Sequence, residues 1–249
     1  MTNQTQNLNN KNYFKGLNIH CGKDVEKQLL QLCNSGKPEM VVTLNPEIFV
    51  KARENYELWK IIQKASLITA DGVGIAIALG GKIKRVTGTD LTRAAIKICA
   101  DNKWTLGLLG GRKGAAKIAV EKIQKDNPSI KAVDLELPAD IYNITEDEKK
   151  QIREWLSHNK IKICLVAWDY GQRELVLHQI MGNLSLNTVF IGVGGVMDYL
   201  AGIIKRAPVW MRRLGLEWLF RLITQPRLRL KRQIKMFIKY FYYLCKNST

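Results

Sequence analysis

The chain has 249 residues, 46% of them apolar and 24% charged, with a formal net charge of +17. That much apolar material can bury a substantial core, as one large α/β domain or two small ones, and one domain with an appendage is the expectation. No apolar run approaches the roughly 18 residues that cross a bilayer, and five scattered cysteines without a C-x-x-C pair, beside three histidines out of ligand spacing, argue for a reducing compartment and against structural zinc.

In chain order, residues 1–12 are polar and rich in Asn and Gln, lack the apolar centre of a secretory signal, and read as a flexible tail. Short β-branched or apolar runs then alternate with helical patterns. Strands are predicted at 40–44, 66–69, 105–109, 163–166 and 189–192, and helices at 46–64, 89–102, 113–125 and 145–159. Thr145 followed by Glu146, Asp147 and Glu148 reads as an N-cap with acids in the first turn. This alternation predicts a Rossmann-like α/β domain over 13–202, a mostly parallel sheet with helices on both faces. Ligands of such sheets collect beyond the carboxyl ends of the strands, which gathers 43–45, 69–72, 109–112, 167–174 and 192–195 at one rim.

Residues 203–249 have a different character. From Lys205 onward twelve lysines and arginines stand against the single acid Glu217. Leu230, Ile234, Phe237, Phe241 and Leu244 make one helical stripe, flanked by Arg227, Lys231, Lys235 and Lys239 on a side turned away from it. With Tyr240, Tyr242 and Tyr243 this predicts a basic amphipathic helix suited to an anionic membrane surface, peripheral and on the cytoplasmic side. A pI of about 9.7 also suits a nucleic-acid binder, but concentration of the charge on one terminal amphipathic helix argues against nucleic acid as the partner.

Three segments carry candidate chemistry. Thr69-Ala70-Asp71-Gly72-Val73-Gly74 puts an acid just after a strand, either as a general base or as the N-cap of the next helix. Gly110 and Gly111 in one loop, and Gly192 and Gly194 in another, offer bare amides to a diphosphate or simply make tight strand-to-helix turns. No Asp-x-Asp is present to hold a metal; the nearest pattern is Asp134-Leu135-Glu136, with alternating acids that are usually solvated. No metal and no cofactor are therefore expected, and arginines would have to stabilise a departing diphosphate.

The motifs Thr43-Leu44-Asn45-Pro46-Glu47, Ala70-Asp71-Gly72-Val73-Gly74, Arg85-Val86-Thr87-Gly88-Thr89-Asp90-Leu91, the run from Gly192-Val193-Gly194-Gly195 to Gly202, Arg206-Ala207-Pro208 and Gly215-Leu216-Glu217-Trp218-Leu219-Phe220-Arg221 resemble the WecG/TagA/CpsF glycosyltransferase family. The resemblance runs from about Leu17 to Arg232, and enzymes of that family build wall teichoic acid linkage units, enterobacterial common antigen and related polymers. It implies an inverting, metal-independent transfer of N-acetylmannosamine or a related sugar. The donor would be a UDP-sugar and the acceptor the C4 hydroxyl of polyprenyl-diphosphate-linked N-acetylglucosamine. Asp71 falls on the family's base, and Thr43, Asn45 and Arg85 on substrate-pocket positions. Arg221 falls on an arginine that the appendage delivers to the site at the membrane.

Two departures accompany the resemblance. Where the family has Gly-x-Pro-Lys-Gln-Glu, this chain reads Asp169-Tyr170-Gly171-Gln172-Arg173-Glu174, so that Gln172 or Arg173 replaces a substrate contact. After Pro226 the arginine spacing is shifted, which makes Arg229, with Arg227, Lys231 and Arg232, a candidate for the remaining diphosphate contacts. The altered segment also suits a non-catalytic member that binds nucleotide or lipid, and a homo-oligomer is left open.

Overall fold

The computed structural model describes residues 12–22, 24–81, 83–137 and 141–246. The expected tail lies outside the described residues except for Asn12, which opens a strand.

A hairpin of β1 (Asn12–Phe14) and β2 (Leu17–Ile19) precedes α1 (Val25–Cys33), β3 (Glu39–Leu44), α2 (Pro46–Glu54), α3 (Tyr56–Gln63), β4 (Leu67–Ala70), α4 (Val73–Ala78), α5 (Gly88–Asn102) and β5 (Thr105–Gly110). Then follow α6 (Ala115–Asp126), β6 (Lys131–Leu135), a 3-10 turn at Ile141–Asn143, α7 (Glu146–His158), β7 (Ile161–Ala167), α8 (Gln172–Gly182), β8 (Val189–Gly192) and α9 (Val196–Ala201). Three helices end the described chain: α10 (Val209–Arg213), α11 (Glu217–Thr224) and α12 (Pro226–Cys245).

Six strands form one sheet in the order β4-β3-β8-β7-β5-β6, and all its pairings are parallel. The five predicted strands are all present, and β6 joins as an edge strand. Their apolar runs are buried on both faces, as the strands of a parallel sheet must be when helices cover both sides. Alternation divides them: Val42, Leu44, Cys164, Val166 and Phe190 enter one core, while Val41, Ile163, Leu165, Val189 and Ile191 enter the other.

Local chemistry sets most helix starts. Thr87 and Thr145 each build a capping box, with Asp90 and Glu148 returning the hydrogen bond. The single helix predicted over 46–64 is two helices, because Asn55 is extended and its side chain accepts from the Leu58 amide, starting α3 instead of continuing α2.

The last helix differs from expectation at Tyr240 and Lys239, both predicted to lie toward a membrane surface. Tyr240 is 3% exposed and sets its ring edge-on to Phe49 of α2, at 5.8 Å between centroids, with Met236, Tyr243 and Leu244 packed on the same core. Leu230, Ile234 and Phe241 of the predicted stripe are open, 49%, 53% and 60% exposed, and are joined by Ile238 at 67%. Two apolar faces therefore exist on α12, one docked on α2 and one open. Arg232 pairs with Glu47 and Lys239 with Glu54, so Lys239 belongs to the docked side. No helix among the described residues is long and apolar enough to cross a membrane.

Candidate active site

The carboxyl ends of β3 and β4 begin the site. Asn45 follows β3 and caps α2 by accepting from the Ile48 amide at 2.9 Å, with Pro46 in the first helical position. Asp71 follows β4. Its amide donates to the Leu44 carbonyl at 2.9 Å, and its carboxylate accepts from the Gly88 amide at 3.3 Å, in the first turn of α5. It is not the cap of α4, whose N-cap is Gly72 and makes no side-chain hydrogen bond. Only glycine fits at Gly72, since a Cβ there would lie 2.7 Å from Pro46 Cδ.

Asn45, Asp71, Arg85, Tyr170 and Val193 from the α/β domain, with Glu217, Arg221 and Arg232 from the last two helices, line one cavity of about 410 Å³. The Arg221 Nε donates to Tyr199 Oη at 2.6 Å, its guanidinium lies 4.9 Å from the Tyr199 ring centre, and Glu217 Oε1 is 3.8 Å away. Gly195 leaves room for that guanidinium, as a Cβ there would be 3.2 Å from Nη1. Arg85 also faces the cavity, and its Nη2 donates to the Arg212 carbonyl at 3.1 Å.

These neighbours set the state of the Asp71 carboxyl. Burial pushes it up to about 6, the Gly88 amide opposes that, the Glu217 charge adds to the rise, and Arg221 and Arg85 hold it down. A carboxylate in this range is ionised at neutral pH and still basic enough to take a proton from a hydroxyl.

Other predicted residues sit away from the cavity. Thr43 is buried and its Oγ1 donates to the Gly192 carbonyl at 2.7 Å, tying β3 to β8 beneath the floor. Arg173 is fully buried; Glu174 accepts from its Nε and Nη2, and its Cζ lies 5.5 Å from the centre of the Tyr170 ring. Among the described residues its Nη1 has no hydrogen-bond partner. A Cβ on Gly192 would collide with the Arg173 guanidinium, and one on Gly194 would lie 2.8 Å from Tyr170 Oη. Those two glycines thus make space for Arg173 and Tyr170, and Tyr170 carries the arrangement to the cavity wall. Gly110 and Gly111 both have positive φ, and a Cβ on Gly110 would collide with Trp168. Gln172 opens α8 and is half-buried. The Arg229 side chain lies outside the described residues.

Tyr199, Glu217 and Tyr170 were not singled out from the sequence. Glu217 had a signal, as the one acid in a basic segment; Tyr199 and Tyr170 had none besides their places in the quoted motifs. Among the described residues no group of three His, Cys, Asp or Glu side chains could hold a metal.

The glycosyl transferase WecG/TagA/CpsF family matches the chain over residues 13–249. The N-acetylglucosaminyldiphosphoundecaprenol N-acetyl-beta-D-mannosaminyltransferase of Bacillus subtilis (strain 168) is 28% identical over 191 residues, which are 75% of this chain and 72% of that protein. The protein of the same name from Bacillus spizizenii is 26% identical over 197 residues, covering 78% and 74% of the two.

Proposed function

Because the chain belongs to the WecG/TagA/CpsF family and is therefore a glycosyltransferase, we propose that it moves N-acetylmannosamine, or a related sugar, from a UDP-sugar to the C4 hydroxyl of polyprenyl-diphosphate-linked N-acetylglucosamine. The observation that carries this reading is Asp71, lifted to about 6 in a cavity that also holds Arg221 and Arg85.

In the reaction, the Asp71 carboxylate takes the proton of the acceptor hydroxyl as that oxygen attacks the anomeric carbon from the face opposite the leaving group. The bond from the anomeric carbon to the diphosphate oxygen breaks, UDP leaves with the electron pair, and the configuration inverts. Arg221, held by Tyr199 and Glu217, meets the charge that develops on the diphosphate, with Arg85 lining the same cavity. These cations take the place that a metal holds in other sugar transferases, so the transfer is metal-independent. Residues 13–202 are the catalytic domain, and 203–249 are an appendage that completes the site.

The open face of α12 supports peripheral attachment. Ile234, Ile238 and Phe241 are exposed beside the exposed Lys231 and Lys235, the composition of a helix lying in an anionic headgroup layer. The acceptor's lipid would stay in that layer, on the cytoplasmic face.

The test is a donor screen with UDP release as readout, with and without lipid-linked N-acetylglucosamine. Acceptor-dependent release from UDP-N-acetylmannosamine is expected, with a β-linked product. Release that does not depend on the acceptor, or from none of the UDP-amino sugars, overturns the reading.

A further inference from the structure

The cavity that holds Asp71 changes character along its length. One end presents Asn45, Asp71, Arg85 and Arg221; the rest of the lining includes Val73 and Ile77 of α4 and Phe237, Phe241 and Leu244 of α12. At Gly74 of α4 the neighbours come close, since a Cβ there would lie 2.8 Å from Pro46 Cγ and 3.5 Å from the Tyr240 ring of α12. Beyond that approach the wall ends in uncovered apolar side chains, with Ile77 67% and Phe241 60% exposed. Trp218 closes one side, its ring edge-on to Phe237 at 5.3 Å.

An occupant of both ends must be anionic or polar at the head and hydrocarbon immediately behind it. A nucleotide sugar is polar throughout and would leave the apolar end unfilled. A second copy of the chain would have to place a charged group beside Asp71 and thread apolar residues out past Gly74. A prenyl diphosphate matches both ends, with its phosphates toward Arg232 of α12, leaving Arg221 and Arg85 to the donor, and its hydrocarbon between two apolar helices. Outside the cavity, Ile234 and Ile238 on the same helix are exposed as well, so the rest of the prenyl chain can leave along apolar side chains.

We propose that the first isoprenoid units of the acceptor's lipid, those next to the diphosphate, lie in the cleft between α4 and α12, against Val73, Ile77, Phe237, Phe241 and Leu244. The proposal rests on the acceptor class put forward above. It makes α12 a wall of the acceptor site as well as a membrane contact, so the enzyme measures the start of the lipid and not only its sugar.

The test is a binding series on the full chain without membranes or detergent, using prenyl diphosphates of one, two and three units as probes. Trp218 fluorescence is the readout, with Trp218→Phe as the blank. Burial of each added unit in the cleft should tighten binding by about tenfold or more. Ile77→Asp and Phe241→Asp, both at exposed positions, should flatten that series, whereas Ile238→Asp, outside the cavity, should not. A dissociation constant that ignores unit number, or a gradient that survives both cleft variants, overturns the proposal. The readout needs no turnover: a graded series in a protein that transfers no sugar upholds the cleft while sinking the proposed reaction. A flat series in an active enzyme does the reverse.

Discussion

Arg85 donates from Nη2 to the main-chain carbonyl of Arg212 at 3.1 Å, so a cavity-lining side chain of the α/β domain holds the backbone that leads into α11. The turn fits closely there, since a Cβ on Gly215 would lie 2.9 Å from Val73 and 3.3 Å from Arg85 Nη1. Position and charge are thus coupled in one residue: whatever moves Arg85 also moves the start of the helix that carries Glu217 and Arg221.

Arg85→Lys keeps the charge and loses the fork that reaches both a substrate anion and the Arg212 carbonyl. It should lower kcat/KM about tenfold or more and speed proteolytic cleavage around residues 203–216. Unchanged cleavage with a full loss of activity would restrict Arg85 to substrate contact.

Asp71→Asn preserves shape and removes the proton acceptor, so turnover should fall about 10²- to 10⁴-fold while donor binding persists. With the wild-type carboxyl at about 6, kcat/KM should rise as pH increases through that value, and this limb should be absent from the residual activity of the variant. Turnover within twofold of wild type excludes Asp71 as the base.

The same carboxyl makes a stability prediction of opposite sign. Its folded value is raised to about 6 from 3.8, so the ionised form costs stability at pH above about 6, and the cost disappears as pH falls toward 3.8, where both folded and unfolded chains hold the proton. Asp71→Asn should therefore be more stable than wild type at pH 7, by about 1–2 kcal/mol after allowing for solvent screening, and equal to it near pH 3.5. A variant less stable than wild type at pH 7 would mean that the Gly88 hydrogen bond outweighs the burial.

How much of this was legible follows from where the physics is local. The sheet strands could be read because burial on both faces forces continuous apolar runs, and Thr145 because a capping box lies within four residues. The break at Asn55 was hidden, since an Asn inside a periodic pattern becomes a cap only when the packing of α2 and α3 favours it. The burial of Arg173 was equally hidden. It depends on the space above Gly192, and nothing in either segment alone says that a guanidinium fills it. On α12 the spacing fits two apolar faces, and only the core around Phe49 determines that Met236 and Tyr240 dock while Ile234 and Ile238 stay open.

Arg221→Ala should reduce kcat about 10²- to 10³-fold, the usual loss when a donor to developing negative charge is removed. Tyr199→Phe leaves Arg221 charged but without the partner on its Nε, and about a tenfold loss is expected. If these cations hold the diphosphate, a chelator changes neither rate by more than about twofold; rescue of a chelated enzyme by Mg²⁺ would overturn the metal-independent mechanism.

The two roles proposed for α12, completing the site and contacting a membrane, fall on different faces and can be separated. Lys239 pairs with Glu54 on the docked side, while Lys235 is exposed beside the open stripe of Ile234 and Ile238. Lys239→Glu therefore opposes docking, replacing an ion pair worth about 0.2–1 kcal/mol by a like-charge contact, and it should slow turnover of a short, soluble acceptor that needs no membrane. Glu54→Lys in the same chain restores the pair with its charges exchanged and should recover that rate. Lys235→Glu with Ile238→Asp leaves Glu54, Glu47 and their partners in place, so it should keep the soluble-acceptor rate and weaken binding to anionic vesicles by tenfold or more, each surface charge contributing about 1 kcal/mol. Deleting the helix cannot make this distinction, because it also uncovers the Phe49 ring on which Tyr240 packs. If the outer pair of substitutions slows the soluble reaction as much as Lys239→Glu does, the open face is part of the active-site architecture and the membrane must contact the protein elsewhere.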